Sequence, residues 1–440
     1  MTLKGGGDSA QPVGQLPYDG STAAFDQFSG YVSVNNSATR RMFYWFVESQ
    51  RSPASDPVVL WLQGGPGCAG TWAIFEEHGP YRIAPNKTVV DNPYSWNRVA
   101  NVIYVDSPAC TGVGFSDSGG DRCHADDHQT AEDNLAFLQG FFDLFPQFAY
   151  NDLWLTGESY AGVYVPMLAA RIVEGGNGTA NLAGRLRGML VGNPVLACPE
   201  GEAAYFGEQV DLFYYHGLIS FASRSEWKAT CAADALSPQC ISLYESIRGT
   251  IGTENFVGDD LYANLCTGNG TLDAFEEVED CISLGMRTEW YMNNPKLQEA
   301  VHAVRGLWRS CGDPNLRYSQ SGANMLDYYQ LLYETAPQLQ VLLYSGDVDI
   351  NTIPHALTQF CLNVLERPIL SPWKPWRVQG PRLPARIPNS LENSNVTAGY
   401  AQVHQGYTFA TVKGAGHEVA LYQPAFAFEL FHRFITDGHL

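Results

Sequence analysis

No stretch of this 440-residue chain approaches the run of about 18 apolar residues that crosses a membrane. The N-terminus, MTLKGGGDSAQPVGQLP, has no apolar core of the kind a secretory leader carries, so any leader is expected to be already absent. Basic residues are scarce: 26 Lys and Arg stand against 46 Asp and Glu, a net charge of −20. Such a surface repels nucleic acid and anionic membranes, and neither is expected as a partner. It suits an acidic medium, where carboxyls protonate and self-repulsion falls. There is no Cys-x-x-Cys pair, which excludes zinc-ribbon and thioredoxin-like centres. No phosphate-binding loop opens a helix, and no tandem repeat or long low-complexity tract occurs. His124 and His128 stand four apart and would share a helix face, but they lack the His-Glu-x-x-His context. No metal and no cofactor are expected.

What is present points to a folded, exported protein. Hydrophobic residues make up 45% and aromatics 12%, enough for a sizeable core. The length exceeds the usual ceiling for one core, so the expectation is a large domain with an insertion, or two domains. Ten cysteines at irregular spacings fit disulfides in an oxidising compartment. Five glycosylation sequons, at Asn35, Asn86, Asn177, Asn269 and Asn395, agree with a secreted or vacuolar/lysosomal location.

Short apolar runs alternate with helical patterns. Met42–Val47, Val58–Leu62, Asn101–Val105, Leu153–Thr156, Leu186–Val191, Gln340–Tyr344 and Tyr407–Val412 read as strands, several of them β-branched and continuous, as buried parallel strands are. Ala131, Leu135, Leu138, Phe142 and Phe145 keep helical spacing until Pro146 stops the helix, and Met167–Val173 is helical. This alternation predicts an α/β sheet flanked by helices. The rhythm breaks across residues 196–320, where Cys198, Cys231, Cys240, Cys266 and Cys281 lie among polar helical stretches. That region is expected to be a cap inserted between core parts 1–195 and 321–440, a separate domain being the alternative.

Gly157-Glu-Ser159-Tyr-Ala-Gly162 follows the strand Leu153–Thr156 directly and precedes a helix. This is the pattern of a nucleophile elbow, a strand-to-helix turn that lifts a serine Oγ above a sheet. A serine hydroxyl needs a base to take its proton and a carboxylate to orient that base. In such folds the chain order is Ser, acid, His. Ser345-Gly-Asp347-Val-Asp349 leaves one strand and Gly414-Ala-Gly-His417 leaves another, in that order. Each strand-end residue alone would read as a turn aspartate or an ordinary histidine; together they read as a triad.

The blocks Trp61-Leu-Gln-Gly-Gly-Pro-Gly-Cys68, Gly157-Glu-Ser-Tyr-Ala-Gly162, Ser345-Gly-Asp-Val-Asp349 and Gly414-Ala-Gly-His417 resemble the signatures of the serine carboxypeptidases. Ser29-Gly-Tyr-Val32, Met42–Ser49, Val191-Gly-Asn-Pro194 and Asn294–His302 are lesser echoes, so the resemblance runs from about residue 25 to the C-terminus. It implies an α/β-hydrolase fold, with a mostly parallel central sheet and an inserted cap. It also implies an acyl-enzyme mechanism that releases single C-terminal residues. Ser159 would be the nucleophile, His417 the base and acid, and Asp349, rather than Asp347, the orienting acid. Gly65 and Tyr160 would supply oxyanion-hole amides. Glu158 and Glu77, with Trp61 and Gln63 beside them, would bind the substrate's free carboxylate, neighbouring Glu76 being the alternative to Glu77. Two close carboxyls share a proton, and the protonated one donates to the incoming carboxylate. Binding is therefore expected to be strong in acid and to weaken as that proton leaves.

Gln63 stands where most members have Asn, Cys68-Ala-Gly70 replaces the usual Cys-Ser-Ser, and Cys110-Thr111 looks like an insertion. Glu418, directly after the histidine, stands where many members carry an apolar residue; the resemblance implies that it would face the leaving-residue subsite, where a carboxylate accompanies acceptance of basic C-terminal residues. Thr352 stands where some relatives carry a free cysteine. The resemblance pairs Cys68 with Cys311. Cys110–Cys123, Cys231–Cys240 and Cys266–Cys281 are local guesses, and Cys198 and Cys361 remain. The implied partners are peptide or protein C-termini, for a monomer or homodimer. One rival is an acyltransferase or esterase on the same fold, although acyltransferase members usually carry Asp rather than Glu before the serine. A cyanohydrin-cleaving relative is a second. A protective binding partner with incidental catalysis is a third, of another class.

Overall fold

The computed structural model describes residues 8–22, 24–34, 39–110, 112–118, 123–175, 180–251, 259–262, 264–265, 281–282, 285–311, 316–379 and 395–440, with backbone alone at 180–181, 264–265 and 281–282. Its organising element is an eleven-stranded sheet. Six central strands, in spatial order Asn101–Val105, Val58–Leu62, Leu153–Glu158, Leu186–Gly192, Gln340–Gly346 and Tyr407–Val412, are all parallel. Arg41–Val47, Gln27–Ser33 and Gln11–Pro12 extend one edge antiparallel, and Asn395–His404 and Ile369–Gln379 extend the other. The fold is that of the α/β-hydrolases.

The parallel strands are continuous apolar runs because both faces are covered. Every residue of Val58–Leu62, Asn101–Val105 and Tyr407–Val412 is buried. Alternation sorts them between two cores. Val58, Leu60 and Leu62 face the helices Asp127–Leu144, Ala161–Glu174 and Met325–Thr335, while Val59 and Trp61 face the C-terminal helix Pro424–Asp437. The edge strand Ile369–Gln379 buries only Trp376 and Val378. Its Pro372 and Pro375 suit an edge, where a missing N–H costs no ladder bond.

Within 196–320 the packing divides. Helices Gly201–Tyr215, Phe221–Cys231 and Pro238–Ile251 close a cluster of their own around Val210, Phe213, Trp227, Tyr244 and Ile247, joined by Ile350. Helices Met286–Met292 and Pro295–Ala300 instead bury Tyr291, Met292 and Leu297 in the sheet's second core. Disulfides join Cys68–Cys311, Cys110–Cys123, Cys198–Cys361 and Cys231–Cys240. Cys266 and the Cys281 side chain lie outside the described residues, as do Asn35, Asn177 and Asn269; Asn86 and Asn395 are exposed. His124 sits in the short strand His124–Asp126 and His128 in the following helix, so they do not share a helix face.

Candidate active site

The carboxyl ends of the parallel strands converge at one place. Ser159 leaves Leu153–Glu158 with φ +59°, a left-handed conformation that forces the chain to reverse into the helix Ala161–Glu174. The turn is tight enough to require glycine around it. A Cβ on Gly157 would stand 2.4 Å from the Leu62 carbonyl oxygen, and one on Gly64 would stand 2.6 Å from the Ser159 Cβ and 2.8 Å from the Tyr160 nitrogen. The loop Gly64–Gly67 therefore lies directly over the elbow, with Gly65 at φ +113°.

Two strands away, Asp349 is fully buried on the loop after Gln340–Gly346. Its Oδ2 lies 2.7 Å from His417 Nδ1 and accepts from Asn193 Nδ2 at 2.9 Å and the Ile353 N–H at 3.0 Å. Its Oδ1 accepts the Thr352 N–H at 2.9 Å. Burial works against an imidazolium at His417, but the charge and hydrogen bond of Asp349 outweigh it and hold the ring above its ordinary pKa. Asp347 does something else: its Oδ1 takes the Gly414 N–H at 2.6 Å and fixes the loop that carries the histidine. Asn193 joins the strand ends. Its N–H donates to the Tyr344 carbonyl, its Oδ1 accepts the Gly346 N–H, and the Ser159 N–H bonds the neighbouring Gly192 carbonyl.

Beside the serine, three carboxylates meet. One oxygen each from Glu77, Glu158 and Glu418 lies within 4.8 Å of the others, close enough to hold a cation. Amide and indole nitrogens reach Glu158 and Glu418. Trp61 Nε1 donates to Gln63 Oε1 at 2.8 Å, Gln63 Nε2 donates to Glu158 Oε1 at 2.7 Å, and Trp72 Nε1 donates to Glu418 Oε1 at 3.2 Å. Both Glu77 oxygens are buried without a hydrogen bond of normal geometry. Burial pushes the Glu77 carboxyl up to about 8, against the opposing pull of Gln63 and Arg82. Burial and then the charges of Glu77 and Glu418 push Glu158 well above the carboxylate range. Burial, followed by Glu77 and Asp259, does the same to the half-buried Glu418. Three acids this close cannot all ionise, so protons are shared among them. Glu76 turns away to the Thr288 hydroxyl, which leaves Glu77 as the acid facing Glu158.

Sequence reasoning had no role for Trp72 or Asp259, whose carbonyl accepts the His417 N–H at 2.7 Å. It placed Asn193 in a signature block without a function. A lone tryptophan nine residues past Gln63 carries no signal of its own; only the folded contact with Glu418 identifies it.

A sequence model described as serine carboxypeptidase matches residues 17–437. The chain is 34% identical to "Serine carboxypeptidase-like 26" of Arabidopsis thaliana, over 97% of this chain and 92% of that protein. It is 33% identical to "Serine carboxypeptidase 24" of the same plant, over 95% and 90%. The "Lysosomal protective protein" of Mus musculus is 31% identical, over 96% and 92%. Among solved structures, Kex1(delta)p, a prohormone-processing carboxypeptidase from Saccharomyces cerevisiae, superposes with a TM-score of 0.71. That match covers 94% of this chain and 92% of the yeast chain at 18% identity, a likeness of fold.

Proposed function

The chain belongs to the serine carboxypeptidase family of hydrolases, and from that premise we propose that it releases single C-terminal residues from peptides, binding them most tightly in acid. The observation that carries this reading is the buried cluster of Trp61, Gln63, Glu77 and Glu158 next to Ser159. An endopeptidase or simple esterase has no need of proton-sharing acids there. A carboxypeptidase does, because a protonated Glu donates a hydrogen bond to the substrate's terminal carboxylate where an ionised one would repel it.

In this mechanism the Ser159 Oγ attacks the scissile carbonyl while His417 Nε2 takes its proton, and Asp349 holds the imidazole by Nδ1 and stabilises the imidazolium. The tetrahedral oxyanion rests on the Gly65 and Tyr160 amides. His417 then protonates the departing amine, the terminal residue leaves, and water attacks the acyl-enzyme with the same base. Docking a substrate dehydrates the imidazolium and favours the neutral base, so turnover persists in mild acid. Glu418, held by Trp72 at the rim of the cluster, favours a basic leaving residue. The helices of 201–251 would form the cap. A secretory-pathway location is supported by four disulfides and by the mouse relative's name; among the described residues no helix is long and apolar enough to cross a membrane.

The test is release of the C-terminal residue from N-blocked dipeptides across pH 4–8, with Ser159→Ala as control. Serine-dependent release with KM rising towards neutral pH supports the proposal. Turnover of esters alone, with free-carboxylate peptides inert at every pH, would replace it with the acyltransferase or esterase reading.

A further inference from the structure

The two amides assigned to the oxyanion hole sit on segments far apart in sequence, and a third segment touches both. On the loop side, Cys311 is bonded to Cys68, and the Ala69 N–H donates to the Ser310 carbonyl at 2.7 Å. Leu316 packs so closely that a Cβ on Gly67 would stand 2.2 Å from its Cδ2. On the elbow side, Arg317–Ser319 pairs in parallel with His124–Asp126. There the Tyr318 hydroxyl donates to Asp127 Oδ1 at 2.9 Å, and the Tyr160 hydroxyl donates to the same oxygen at 2.8 Å. The Ser321 N–H donates to Asp127 Oδ2 at 2.6 Å. Asp127 is buried and opens the 18-residue helix Asp127–Leu144, whose positive end favours a carboxylate. The rings of Tyr164 and Tyr318 meet the Tyr160 ring edge-on at 5.3 and 5.7 Å.

We propose that Asp127 is a positioning residue of the oxyanion hole: it anchors the far end of the Tyr160 side chain and, through residues 316–321, couples the elbow to the Gly65 loop. The inference rests on Gly65 and Tyr160 being the oxyanion donors. The peptide unit carrying the Tyr160 N–H is held on one side through the Ser159 carbonyl, which accepts the Gly162 N–H at 2.8 Å and the Val195 N–H at 3.0 Å, and on the other side it is tied through the Tyr160 side chain. The Tyr160 ring is the lever, and Asp127 is the point that holds the lever still. Oxyanion donors act only within a narrow range of the developing charge. A tilt of a few tenths of an ångström is therefore felt in the transition state and hardly at all in the ground state.

Asp127→Asn turns one carboxylate oxygen into an amide nitrogen; facing the Ser321 N–H it sets donor against donor, and facing the tyrosines it forces both hydroxyls to turn from donors to a carboxylate into acceptors from an amide. With N-blocked dipeptides, kcat is expected to fall about tenfold, a fraction of what losing a whole donor costs, while KM stays within about twofold. A peptide aldehyde reports the hole directly. Ser159 Oγ bonds to its carbonyl carbon, the hydroxyl proton passes to His417, and the resulting oxyanion occupies the hole. Aldehyde affinity is expected to fall in step with kcat. Tyr160→Phe should act in the same direction, and the double variant should be no worse than Asp127→Asn alone, as expected for one shared interaction. If Asp127→Asn does not fold, Tyr160→Phe carries the test. Unchanged kcat and aldehyde binding in the folded variants, or a loss of thermal stability alone, overturns the proposal. Activity surviving in Ser159→Ala would instead overturn the underlying reading.

Discussion

The Gln63 side chain is locked in one orientation by its neighbours: Oε1 accepts from Trp61 Nε1, and Nε2 donates to Glu158 Oε1. Indole nitrogen can only donate, so the amide cannot flip without setting donor against donor. Gln63→Leu leaves two buried polar partners unsatisfied, and KM for free-carboxylate peptides should rise about tenfold, the scale of one lost buried hydrogen bond. Steady-state kinetics with N-blocked dipeptides checks this, and an unchanged KM would remove Gln63 from the site.

In the proposed function the cluster of Glu77, Glu158 and Glu418 sets the alkaline limb of activity. Burial holds Glu77 up to about 8 and its two neighbours above their ordinary values, so the shared proton leaves as pH rises towards that region. KM should therefore be lowest in acid and climb through neutrality. Glu158→Gln, which keeps a donor at every pH, should flatten that climb at the cost of weaker binding in acid. A KM profile as steep as wild type's in Glu158→Gln would rule Glu158 out of the titrating unit.

Stability should follow the same protons. The folded protein holds Glu77, Glu158, Glu418 and Asp106 protonated to higher pH than the unfolded chain does, Asp106 being raised to about 6 by burial. Between the unfolded carboxyl values and these raised ones, the native state binds more protons, so unfolding free energy falls as pH rises. His417, also raised, contributes in the same direction, and so does a net charge of −20. Thermal melts should show a higher Tm at pH 5 than at pH 8. Glu77→Gln should narrow the difference.

Asp349→Asn keeps the shape of the site but leaves the His417 tautomer undetermined, and kcat should drop by about four orders of magnitude. Asn193→Ala is a subtler probe. Asn193 adopts φ +40°, tolerated by asparagine better than by most residues, and ties Asp349 to the Gly346 amide. Its loss should lower both kcat and Tm, whereas Asp349→Asn should chiefly lower kcat. Parallel melting and turnover measurements separate the two.

The central strands were legible because each is buried on both faces and written in a continuous apolar run, as Val58–Leu62 and Tyr407–Val412 are. Ile369–Gln379 was not legible. Two prolines and mostly exposed residues look like loop, and only pairing with Asn395–His404 makes it a strand. Residues for the site could be picked out where they end strands or follow glycines, as Ser159, Asp349 and His417 do. Trp72 and Asp127 could not, because their partners Glu418 and Tyr160 are brought to them only by the finished fold. Glu76 and Glu77 were interchangeable by sequence. A single residue step at the helix end sends the first to Thr288 and the second towards Glu158.

The strand Tyr407–Val412 has a place in the sheet between Gln340–Gly346 and Asn395–His404, and it delivers His417. The groups surrounding the serine come from residues 61–77, 158–160, 193, 349 and 417, nearly the whole length of the chain. In the proposed mechanism the serine and its clamp emerge early during synthesis but have no base until that late strand is in place, so activity would follow, and report, the completed sheet.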